Sequence, residues 1–255
     1  MDAAASPLAM RLERLLVEKS VVGASVALLR RDSIEVAFAG QKDNDTAQPV
    51  DSRTVFAAAS LTKPIVSYAV LQLVDAGVLD LDEPLSRLTT SIVPDDAKSA
   101  LITLRHVLTH TCGLRNLRDK NPPRMYFRPG SWFSYSSLGF TLLQSAVEAR
   151  TGEGLEATLQ RLVFGPLAMN ASSLEWQDRF VDHAACGQPA RSKGTPRHAS
   201  PAGGQRILFA ANHGRRLRCF CRGGAAWRAA QFVDVATMVD GERDGAEGRD
   251  RPPGR

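Results

Sequence analysis

Apolar residues across Leu8–Leu16 recur at helical spacing and predict a short amphipathic helix. The pattern then changes. Val21–Leu29 is apolar and β-branched, Arg30–Ser33 has turn character, and Ile34–Ala39 is apolar again, so the stretch predicts a β-hairpin. Residues 41–53 form a polar loop. After Ser60, the residues Ile65, Val66, Ala69, Val70, Leu73 and Val74 return at spacings of three and four, which predicts a buried helix stopped by Gly77. Pro64 falls in the first turn, where its missing N–H costs little. Leu79–Leu88 is a loop around Pro84.

Thr103 is placed to cap a short helix, Leu104–His110, which closes near Gly113. Residues 115–134 are a long loop rich in Pro and Arg. Leu138–Ala149 is a further amphipathic helix closed by Gly152, and Leu155–Val163 is another, ahead of Pro166. Beyond about Cys186 the periodicity fades, and there are no internal repeats.

Charge sharpens that boundary. The chain of 255 residues carries a net charge of +5. Residues 1–185 hold 19 Lys/Arg against 21 Asp/Glu, whereas residues 186–255 hold 13 against 6, together with 11 of the 20 glycines. The expected organisation is a structured region over 1–185 and an irregular basic Gly/Arg-rich tail over 186–255. A nucleic-acid partner is not expected, because the basic tail carries no recognised nucleic-acid-binding motif. No run of about 18 apolar residues suggests a membrane span. The N-terminus shows no basic then apolar leader, so the default expectation is the cytoplasm. The four cysteines (Cys112, Cys186, Cys219, Cys221) lack zinc-like or redox spacing, so neither a metal, a cofactor nor a disulfide framework is expected.

The chemistry centres on Ser60-Leu61-Thr62-Lys63. A serine hydroxyl is a weak nucleophile at neutral pH and needs a base within hydrogen-bond reach. Ser60 and Lys63 are three positions apart, so on a helix they share a face. A serine at the head of a buried helix also meets the free N–H groups and dipole that favour developing negative charge. The four-letter pattern by itself is weak, since Ser is a common N-cap and Lys a common helix residue. The flanking apolar context gives it weight. Tyr135 and Ser137 stand at a second loop-to-helix junction, where a phenol can face a cleft or simply pack. His106 and His110 have the spacing of zinc helices but lack the accompanying Glu, so packing or capping is the expected role.

The stretches VFAAASLTKPIVSYAVLQLVDAGVLDLDEPLSRL, ITLRHVLTHTCGL, FRPGSWFSYSSLGFTLLQSAVEARTG and VFGPLAMNASS together resemble the serine β-lactamase and penicillin-binding protein superfamily, in its class C-like branch. The resemblance spans residues 10–185. It implies an α+β (α/β) fold, an antiparallel sheet flanked by helices plus an all-helical domain, with the site between them. It also implies that Ser60 is acylated, that Lys63 activates it, that Tyr135 relays protons to the leaving group, and that Ser137 contacts substrate. The substrate would be a small ester, amide or β-lactam. No Ser-Asp-Asn occurs, so the class A arrangement is disfavoured.

The family's third motif, Lys/His-x-Gly on a late strand, is not found, and Lys193-Gly194-Thr195 has its letters in the wrong order. The C-terminal strands are therefore expected to be missing. One account is that the chain past about residue 186 is read out of frame, because codons compatible with Asn212–Ala226 can be chosen so that a one-nucleotide shift reads an amphipathic helix. A genuine disordered basic tail is the other. The rival to a working hydrolase is a catalytically inactive truncated homologue that acts at most as a ligand-binding module.

Overall fold

The computed structural model describes residues 6–43, 47–116, 122–185 and 209–211. Helix α1 spans Pro7–Lys19; the Ser6 hydroxyl caps it by accepting the Ala9 N–H at 3.2 Å, and Pro7 occupies the first turn. The hairpin forms where the two apolar runs and the turn between them placed it. Strand β1 (Gly23–Leu29) runs antiparallel to β2 (Ile34–Gly40), with Gly23 opposite Gly40 and Leu29 opposite Ile34. Leu12 and Leu16 of α1 pack on Ala37 and Ala39 of β2 and make a small core of their own.

A second small sheet precedes the site. Strand β3 (Val55–Ala57) pairs antiparallel with β4 (Phe209–Ala211), Val55 opposite Ala211. Val55 also bridges Ala184 in parallel. Three-residue strands show no period-two pattern, which is why only the hairpin was visible beforehand. Apart from β4, the late strands, Lys193–Thr195 and the basic tail lie outside the described residues.

The remaining helices form one packed body. Helix α2 (Thr62–Asp75) buries Ile65, Val66, Ala69, Val70 and Leu73. Helix α3 (Leu104–Leu108) opens with Thr103 in a reciprocal capping box with His106. It is two residues shorter than its pattern suggested, because His110 turns into the left-handed region at φ 55° and reverses the chain. Helix α4 (Ser137–Thr151) ends at Gly152, whose φ of 72° suits glycine and whose N–H reaches the Glu148 carbonyl. Helix α5 (Leu155–Leu159) continues as a π-type turn, Gln160–Phe164, rather than as α-helix to Val163. Pro166 has no N–H to extend the ladder, and the Gly165 N–H reaches back five residues to Gln160. Val70, Leu143, Val147, Leu159 and Phe164 lie at the centre, each at most 1% exposed. Burial of each such side chain contributes roughly 1.5–3 kcal/mol.

Candidate active site

The 3-10 turn Ala59–Leu61 runs directly into α2 and carries Ser60 at its middle. Lys63 follows three positions later, in the first turn of α2, and so faces the same side as Ser60. The Lys63 ammonium donates to Ser60 Oγ at 3.1 Å. The residue before the serine is held in the left-handed region, Ala59 at φ 45°. For a non-glycine residue this costs about 1–2 kcal/mol, a strain that lifts the serine out of the strand-to-helix junction.

The third group arrives from 75 residues away. Ser136, 1% exposed, is the N-cap of α4: its hydroxyl accepts the Gly139 N–H at 2.9 Å and donates to the Arg115 carbonyl at 3.2 Å. That anchoring places Tyr135 one step before the helix, and its hydroxyl donates to Ser60 Oγ at 2.7 Å. Ser60 Oγ therefore lies between an ammonium and a phenol. The Lys63 Nζ is also 4.9 Å from the Tyr135 ring centroid and 5.5 Å from that of Phe140, close enough for cation–π attraction. Partial burial pulls the Tyr135 phenol up. Hydrogen bonding with Lys63 and Ser60, and the Lys63 charge, outweigh it and leave the phenol below its ordinary value.

Three of the four residues singled out in the sequence thus converge. Ser137 does not join them: it is the first residue of α4, half-buried, and its N–H donates to Asn116 Oδ1 at 3.3 Å. The histidines divide. His106 caps α3 as expected, its Nδ1 accepting the Thr103 N–H at 3.2 Å. His110 packs against Tyr135, with ring centroids 4.5 Å apart, and was not foreseen as part of the site. No local spacing signals this, because the contact joins the end of α3 to the residue before α4. Cys112 is fully buried beneath the site, where α4 presents Gly139: a Cβ there would come within 3.0 Å of the Cys112 sulfur. Trp132 and Phe133, both 71% exposed, stand just before the phenol in sequence. Among the described residues no cluster of three or more His, Cys, Asp or Glu side chains could hold a metal, and no helix is long and apolar enough to cross a membrane.

Comparison with known proteins fits this arrangement. The chain is 35% identical over 201 residues to esterase EstB of Burkholderia gladioli, which covers 65% of this chain and 51% of the esterase. It is 27% identical over 179 residues to penicillin-binding protein 4 of Amycolatopsis lactamdurans, covering 64% and 47% of the two chains. The chain thus spans about half the length of these relatives. Its fold matches a solved class C β-lactamase with a TM-score of 0.71 at 18% identity, over 85% of this chain and 64% of that one. The structure is accordingly a β-lactamase-like α+β fold. Residues 9–232 match the Beta-lactamase family model, and the chain belongs to that family.

Proposed function

We propose that the chain is a serine hydrolase that works through an acyl-enzyme at Ser60, on a small molecule carrying an ester, amide or β-lactam carbonyl. The observation that carries this reading is the placement of one hydroxyl between two proton-handling groups, 3.1 Å from Lys63 and 2.7 Å from Tyr135. With the Tyr135 phenol ionised and Lys63 charged, Ser60 Oγ attacks the carbonyl carbon and passes its proton to the phenolate. The tetrahedral intermediate collapses as Tyr135 returns that proton to the leaving oxygen or nitrogen. Water then attacks the acyl carbon, giving a proton to Tyr135, and collapse of the second tetrahedral intermediate returns that proton to Ser60 Oγ, which releases the carboxylic acid and regenerates the serine hydroxyl and the phenolate. The Lys63 ammonium holds the phenolate and the serine oxygen in register throughout. Ser60 stands at the N-terminal end of α2, where the helix dipole favours the negative charge that develops on the carbonyl oxygen. Ser137, two residues past the phenol, is assigned to substrate contact.

Names of relatives support the breadth of this assignment, one being an esterase and another a penicillin-binding protein. Incubation with a fluorophosphonate and with a fluorescent penicillin should label the chain at Ser60, as read by peptide mass, and Ser60→Ala should abolish the label. Absence of label with both probes overturns the reading. Labelling without turnover of p-nitrophenyl esters or a chromogenic cephalosporin points instead to a ligand-binding homologue.

A further inference from the structure

We propose that His110 is the positioning residue for Tyr135, clasping the residue on each side of it and packing against its ring. The proposal deepens the hydrolase reading and, for its kinetic test, rests on it. Three contacts converge on three consecutive residues. The Ser134 N–H donates to the His110 carbonyl at 2.8 Å. The Ser136 N–H donates to His110 Nδ1 at 3.2 Å. Between them, the imidazole lies 4.5 Å from the Tyr135 ring, tilted by 37°. The imidazole is itself fixed, edge-on to Phe133 at 6.0 Å and tilted against Phe140 at 5.6 Å. Its backbone sits at φ 55°. This conformation turns both the carbonyl and the side chain of one residue toward the same segment.

The clasp requires a neutral ring. An Nδ1 that accepts a hydrogen bond from the Ser136 N–H must carry its lone pair, so the ring proton resides on Nε2. Imidazolium has no lone pair to offer. The charged and titratable groups facing the ring are Lys63 from α2 and Tyr135 itself. Partial burial, and then the Lys63 charge, hold His110 below the ordinary histidine value, which keeps the acceptor available at neutral pH. Loss of the clasp would let the phenol drift from Ser60, and a misplacement of about 1 Å can cost about 10²-fold in rate.

Two substitutions separate the contacts. His110→Phe keeps a ring and removes the acceptor. His110→Asn keeps an acceptor close to the Nδ1 position and tolerates the left-handed backbone, but removes the ring. The acylation rate of Ser60 should fall by about 10²-fold in His110→Phe and by less in His110→Asn, with KM little changed. The low-pH limb of the rate should move upward in both, because a phenol freed from Lys63 and Ser60 returns toward its ordinary value. A residue that merely stabilises the fold would lower the melting temperature without moving that limb. Wild-type rate and limb in both variants overturn the proposal. Nitrogen NMR of the unsubstituted full chain gives a check independent of folding of the variants and of turnover: Nδ1 should appear as an unprotonated acceptor, and a protonated Nδ1 at neutral pH overturns the clasp. If the unsubstituted chain takes no label at Ser60, the hydrolase reading fails, while the tautomer still decides the clasp.

Discussion

The helical body and the hairpin layer use the same apolar residue types to different depth. In the body, α2 and α4 bury whole faces, and side chains such as Val70, Leu143 and Val147 are fully enclosed. In the hairpin layer every residue of β1 is half-buried or exposed, and the core reduces to Leu12, Leu16, Ala37 and Ala39. The reason lies in the backbone. A helix satisfies its own N–H and C=O groups and needs only neighbours for its apolar face. A two-stranded hairpin is marginal until further strands or a helix cover it, and here α1 supplies one cover. The site residues Ser60, Lys63, His110 and Tyr135 all belong to the body or its junctions. The site should therefore tolerate damage to the hairpin layer better than damage to the body.

The sharpest test of the division is Tyr135→Phe. It removes one hydroxyl at the surface of the body and should slow labelling of Ser60 by about 10²–10⁴-fold, with the melting temperature unchanged. Leu143→Ala, at the centre of the body, should cost about 2–5 kcal/mol of stability in a urea titration and reduce labelling as the site loosens. Leu12→Ala, under the hairpin, should cost about 2 kcal/mol and leave the labelling rate of the folded fraction within about twofold. An equal loss of labelling in the two alanine variants would break the distinction. The smallest effect concerns pH. His106 and His110 are both held below the ordinary histidine value, in each case chiefly by burial. The unfolded chain therefore takes up protons first as pH falls through about 6.5, so protonation favours unfolding. The melting temperature should be flat above that value and decline below it until the folded histidines also titrate. His106→Gln with His110→Asn should flatten the decline, and an unchanged slope would show that the histidines do not carry it.

Much of the helical body was legible in residue order. The Thr103 cap, the Gly77 and Gly152 stops and the apolar spacing of α2 depend on contacts within a few residues, and each appeared where the pattern put it, to within the usual drift at helix ends. Two boundaries moved for local reasons the pattern could not weigh: the left-handed turn at His110 and the π-type turn before Pro166. The short strands β3 and β4 were not legible, since their pairing spans more than 150 residues and three residues show no alternation.

The site divides along the same line. Ser60 and Lys63 meet because they are three residues apart at the head of a helix, and the sequence alone determined that meeting. Tyr135 reaches Ser60, and His110 grips Tyr135, only because α3 and α4 pack side by side and the Ser136 cap fixes where α4 begins. Those contacts bridge separations of 75 and 26 residues. No period or cap encodes such distances. They are decided by how buried faces fit together, so tertiary packing turned a common serine–lysine pair into a three-group site.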